Sequence, residues 1–138
     1  MTLRAETRVR ARALQLLYAL EITGDPTTTA GAEGVARLTG EVRLMLDDVE
    51  PLVQAIRREQ AAIDRLAASA ADNWRLERIA TIERNILRIA IFELQRDTAP
   101  AKVVIDEALW LAHRFAGTKA PSFINGVLDR VARDLGRL

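Results

Sequence analysis

A chain of 138 residues is the size of one ordinary domain, long enough to bury roughly 70% of its unfolded surface. Hydrophobic residues make up 49%, aromatics 4% and charged residues 28%, so the core must be assembled from Ala, Leu, Ile and Val, a composition that suits helices and excludes a strand-rich fold. The absence of cysteine excludes disulfides, thiolate nucleophiles and Cys-ligated zinc, and a net charge of +1 excludes a polycation, so any affinity for nucleic acid must come from local clustering of the 20 basic residues.

The first eight residues scatter charge where a secretory leader would carry its apolar segment, and no apolar run is long enough for a membrane span, so a cytoplasmic protein is expected. From Leu3 to Ile22 the positions Ala13, Leu14, Leu17 and Leu20 recur at helical spacing. At about 100° per residue, Arg4, Arg8 and Arg12 fall on one ridge opposite Leu14 and Leu17, whereas Arg10 points nearer the apolar side. Such a ridge is read either as a solvated helix face or as a phosphate-binding surface. Thr23 to Gly31 is rich in turn formers and reads as a long exposed loop. Val35, Leu38, Val42, Met45 and Leu46 give a shorter helix ending near Asp47-Asp48, which are expected to cap a third helix carrying Pro51 in its first turn and running on through Val53, Ile56, Ile63 and Leu66 to Ala70.

Asp72-Asn73 is the expected break after it. The next helix, through Ile79, Ile82, Ile86, Leu87, Ile89, Ala90 and Leu94, is the most apolar and is read as the central one, stopped by Asp97-Thr98-Ala99-Pro100. Val104, Ala108, Leu111, Ala112 and Phe115 define a fifth helix, with Gly117 as its expected left-handed terminator. Pro121-Ser122 restarts the chain, and Phe123, Ile124, Val127, Leu128, Val131 and Leu135 form the apolar face of the last helix. Gly126, inside that helix, costs about 1 kcal/mol of helix propensity relative to Ala and is expected to mark close packing or backbone approach.

Catalytic chemistry has little to build on. His113 is the single histidine and no cysteine accompanies it, so nucleophile–base pairs lack their commonest base, and no enzyme is expected. The adjacent pairs Asp47-Asp48 and Asp106-Glu107 point to different helix faces and suit capping or solvation better than metal binding. Gly31-Ala32-Glu33-Gly34 lacks the lysine, the later glycine and the preceding strand of a phosphate-binding loop.

Trp74-Arg75-Leu76-Glu77-Arg78-Ile79, then Ile82-Glu83-Arg84-Asn85-Ile86-Leu87-Arg88-Ile89 running on to Leu94, then Pro100-Ala101-Lys102-Val103-Val104-Ile105-Asp106-Glu107-Ala108, and Phe123-Ile124-Asn125-Gly126-Val127-Leu128-Asp129, together resemble the NusB family of transcription antitermination proteins in residues, order and spacing. Arg8 to Tyr18 is similar to that family's arginine-rich opening helix. The resemblance implies an all-α fold, a compact bundle of about six to seven helices in two packed subdomains, with one domain over residues 1–138 divided into parts of about 1–72 and 73–138. It implies binding of the boxA element of ribosomal RNA leader transcripts, a partner in the small-subunit ribosomal protein NusE, and assembly on RNA polymerase with other Nus factors; no cofactor, metal or membrane is implied.

Carried over by position, the RNA surface would use Arg8 and Arg10, Glu83 and Arg88, and Phe123 and Asn125, with Arg4, Arg12 and Lys119 added as neighbouring cations. Arginines hold phosphates, an aromatic face stacks on a base, and Asn and Glu read base edges. Phe123 can equally serve as a staple or core residue, and Glu83 and Arg88 can equally be solvated. Glu6 and Thr7 thin the arginine motif, Lys119 stands where many relatives carry an acidic residue, and Asp106 stands in place of the usual Asn. Monomer and homodimer both remain open, the latter with the arginine ridge covered. The alternatives are a helical interaction module without RNA binding and a NusB-like domain of a ribosomal RNA methyltransferase.

Overall fold

The computed structural model describes residues 4–23, 46–71 and 78–138, and these form six helices and no strand: α1 (Ala5–Thr23), α2 (Leu46–Arg58), α3 (Gln60–Ala70), α4 (Thr81–Arg96), α5 (Ala101–Phe115) and α6 (Ala120–Asp134). The expected loop beyond Thr23, the helix over Val35 to Met45, the Asp72-Asn73 break and the motif residues from Trp74 to Glu77 lie outside the described residues. The fold class is all-α, as the composition and the resemblance imply.

Two compact units divide between Arg58 and Glu59. In the first, α1 packs on α2. Leu14, Leu17 and Leu20 of α1 and Val49, Val53 and Ile56 of α2 are buried, each set at the 3- and 4-residue spacing that makes one helical face. Burial on α1 extends to Thr7, Ala11, Ala13 and Leu16, so its exposed side is narrow, carrying Arg4 just before the helix and then Arg8, Tyr18 and Ile22.

In the second unit α4 is packed by α3, α5 and α6, and α6 also contacts α3 and α5. From Asn85 to Leu94 every α4 residue except Glu93 is buried. A helix apolar all round can only sit inside, which is why α4 becomes the element the others cover. Ile105, Ala108 and Leu111 from α5 and Ile124, Leu128 and Val131 from α6 complete this core.

Several expectations from sequence are corrected. The helix expected to run unbroken from Val49 to Ala70 is two helices, broken at Glu59, whose φ of −102° and ψ of 8° leave the helical register. No Gly or Pro marks the break; α2 packs on α1 while α3 packs on α4 and α6, and Glu59 at the joint pairs with Arg96, itself over the Phe92 ring at 4.1 Å. The boundary between the two compact units precedes α3. Asp47 and Asp48 lie within α2, and Pro51 is inside that helix. Gly117 is not left-handed: among the described residues the positive-φ ones are Asp97 (54°), which ends α4, and Gly136 (73°), which ends α6. Around Gly136 the Arg137 N–H donates to the Ala132 carbonyl at 2.7 Å and the Gly136 N–H to the Arg133 carbonyl at 3.0 Å, the paired bonds of a Schellman close. Arg137 then pairs with Asp97 at 2.9 Å, tying the end of the chain to the end of α4. Gly126 is exposed, and a Cβ added there would meet nothing within 4 Å, so no packing within the chain requires it.

The two terminal glycines therefore separate by experiment. Gly136→Ala is expected to lower stability by about 1–2 kcal/mol, the cost of a left-handed residue with a Cβ, whereas Gly117→Ala is expected to be neutral or stabilising by up to about 1 kcal/mol. Denaturant melts of the two variants check this, and equal losses would contradict it.

Candidate nucleic-acid interface

The expected site residues fall in both units, and each unit is described on its own. On α1, Arg4 and Arg8 are exposed, the Arg8 N–H donating to the Arg4 carbonyl at 3.1 Å, so the helix begins by presenting both side chains to solvent. Arg12, the third member of the ridge, is half-buried: its Nη1 donates to Gln15 Oε1 at 2.6 Å and its Nε is shut away from solvent. Arg10 is half-buried and already engaged. The outward cationic surface of α1 is thus Arg4 and Arg8.

Arg88 is placed differently from the expectation. It is buried on α4, its Nε donating to Asp64 Oδ1 at 2.9 Å and its Nη2 to Asp64 Oδ2 at 3.0 Å, while Nη1 donates to Asn85 Oδ1 at 3.0 Å. Asn85 Nδ2 in turn donates to the Thr81 carbonyl at 2.9 Å. Three of the five guanidinium N–H donors are taken by a carboxylate and an amide, and the group is buried, so it does not face solvent as a phosphate contact would. It is a strut between α3 and α4.

Glu83, Lys119 and Phe123 are brought together. They line a cavity of about 250 Å³ with three residues absent from the sequence-based set, Arg78, Ile79 and Ala120. Ile79 and Ala120 are buried and Phe123 half-buried, giving apolar walls; Arg78 and Lys119 are exposed cations, and Glu83 is a half-buried carboxylate in the first turn of α4. No hydrogen bond or ion pair among the described residues engages the side chains of Arg78, Glu83 or Lys119. The Ile79 wall is held from α4: Arg84 Nη1 donates to the Ile79 carbonyl at 3.1 Å and Nη2 to Thr81 Oγ1 at 3.5 Å. On the other side Lys119 is the N-terminal cap position of α6, with the Ala120 N–H donating to the Gly117 carbonyl at 3.0 Å. Asn125 is exposed one turn further along α6 and does not line the cavity.

Phe123 is thereby neither a core residue nor a free one: it forms a wall. Arg78 belongs to the Trp74–Ile79 motif and could have been proposed from it; Ala120 carries no local signal, because only the juxtaposition of two helix starts some 40 residues apart makes it a lining residue. Among the described residues no group of three or more metal-binding side chains is present, and no helix is long and apolar enough to cross a membrane.

The NusB family model matches residues 7–133. The transcription antitermination protein NusB of Anaeromyxobacter dehalogenans (strain 2CP-1 / ATCC BAA-258) is 38% identical over 129 residues, which cover 94% of this chain and 91% of that protein. Among solved structures, NusB of T. maritima superposes with a TM-score of 0.83 at 28% identity over 97% of this chain and 94% of that one. A structure of the antitermination factors NusB and NusE in complex with double-stranded RNA superposes with a TM-score of 0.82 at 22% identity, covering 96% and 99% respectively.

The strut and the surface make opposite demands on mutation. Arg88→Ala strands the Asp64 carboxylate and is expected to destabilise by about 3 kcal/mol, whereas Arg8→Ala is expected to stay within about 0.5 kcal/mol of the parent. Urea titrations of both variants measure this; an Arg88→Ala protein of undiminished stability would remove the strut.

Proposed function

The chain belongs to the NusB family, and on that premise we propose that it is a transcription antitermination factor that binds the boxA element of ribosomal RNA leader transcripts together with a NusE-type ribosomal protein, and joins RNA polymerase and other Nus factors in the cytoplasm. The observation that carries the RNA reading is the cavity, where an aromatic wall meets a carboxylate and two cations that no hydrogen bond or ion pair among the described residues engages. Unpaired RNA is recognised by that combination: bases stack on aromatic faces, base edges bond to polar side chains, and cations take the phosphates. Arg4 and Arg8 on α1 add exposed charge of the same sign.

The RNA surface proposed here contains Arg4, Arg8, Arg78, Glu83, Lys119, Phe123 and Asn125. Arg88 is left out because it is buried and bound to Asp64 and Asn85, and Arg12 contributes less than its place on the ridge suggests because it is held by Gln15. The partner reading draws support from the fold shared with the NusB–NusE–RNA complex. No chemical step is part of this function; the protein works by being in one place with RNA and protein bound at once.

Binding of a short boxA-like RNA, measured over a salt series with and without a NusE-type partner, tests this. Tight binding that the partner strengthens is expected, with the slope of log K against log salt shallower by about 1.4 in an Arg4→Ala/Arg8→Ala variant, since each single-strand phosphate contact contributes about 0.7. Absence of binding in every combination would favour a helical protein-interaction module instead.

A further inference from the structure

We propose that the cavity between the starts of α4 and α6 holds a single unstacked guanine of a bound RNA strand, selected by the carboxylate of Glu83. The inference rests on the RNA-binding reading above and adds which base the site prefers. At about 250 Å³ the cavity is smaller than the roughly 300–1,000 Å³ of pockets for drug-sized ligands, which suits one planar ring system rather than a pair of bases. Its walls, Ile79, Ala120 and Phe123, are apolar and include one aromatic ring, the surroundings that a base's π face replaces its neighbours with on leaving a stack.

The polar groups narrow the choice. An ionised Glu83 only accepts hydrogen bonds, and Arg78 and Lys119 only donate. A ligand satisfying all three needs N–H groups on one edge of a flat ring and negative charge beside it, which is a base within a phosphodiester strand. Among the four bases, guanine alone presents two adjacent N–H donors, on N1 and N2, that match the two oxygens of a carboxylate. Uracil offers a single N–H between two carbonyl oxygens that would face the carboxylate unfavourably, and adenine and cytosine offer one amino group next to a bare ring nitrogen. Among the described residues no ion pair or hydrogen bond engages the Glu83 carboxylate, and neither Lys119 nor Arg78 pairs with it.

The experiment measures affinity of the full chain for a uridine heptamer whose central residue is guanosine, inosine, adenosine or uridine, using fluorescence anisotropy at one salt concentration. The central guanosine is expected to bind roughly tenfold or more tighter than uridine, within the range for a bidentate base contact, with inosine, which lacks the N2 amino group, in between. Glu83→Gln is expected to lose the preference for guanosine, its affinities for the guanosine and uridine strands becoming equal. Equal affinity for all four strands, or a guanosine preference that survives in Glu83→Gln, overturns the proposal while leaving RNA binding intact. Failure of every strand, and of a boxA-like RNA with the NusE-type partner, overturns both readings. Guanosine monophosphate is expected to compete only at far higher concentration than the heptamer; competition at equal concentration would assign the cavity to a free nucleotide and overturn the strand form.

Discussion

The second unit depends on a charge placed where charge is costly. Helix α4 buries almost all of its residues from Asn85 to Leu94, and among those apolar side chains stands Arg88. An isolated guanidinium cannot remain charged in such surroundings without a partner, and it cannot release its proton. Asp64 meets that requirement with both oxygens, and Asn85 with a third bond. Because the pair spans α3 and α4, it helps set the register between them, together with the Glu59–Arg96 pair at the start of α3, whereas apolar contacts tolerate sliding. Replacement of both members by apolar residues could preserve stability, as buried pairs often allow; the register is what the pair adds.

The same cluster reaches the candidate site. Asn85 bonds Arg88 with its oxygen and the Thr81 carbonyl with its nitrogen, while Arg84 grips the Ile79 carbonyl. The first turn of α4 and the residues leading into it are thus held by side chains further along the helix, in place of a side-chain cap, which Ala80 cannot supply. Glu83 projects from that secured turn. A carboxylate in the first turn of a helix is also favoured by the helix dipole.

Near-neutral overall charge is compatible with RNA binding because the cations are not equivalent. Arg12, Arg88, Arg96, Arg133 and Arg137 have acceptors within the chain, while among the described residues none engages the side chains of Arg78 and Lys119 beside the cavity. Arg4 and Arg8 lie on the narrow exposed side of α1. Several of the basic residues are thus held internally, while Arg78 and Lys119 sit next to an aromatic wall. Gly126 stays without an account inside the chain: it is exposed, mid-helix, and beside Asn125.

The sequence by itself determined the helical class, the identity of α4 as the central helix and the apolar faces of α1, α5 and α6, because a 3.6-residue period in apolar residues is a local property that burial then rewards. It also carried the family likeness, and with it Glu83 and Phe123, while Lys119 was legible as a departure from that likeness. It did not show the break at Glu59, since no Gly or Pro marks it and the two halves diverge only because they pack on different partners. It misplaced Arg88 on the surface, since an arginine in an apolar helix looks alike whether it faces solvent or a carboxylate 24 residues earlier. It could not show that Arg78, Ile79 and Ala120 join Glu83 and Phe123 around one cavity. Periodicity states which side of a helix is buried; which residues of separate helices meet is settled only when the helices pack.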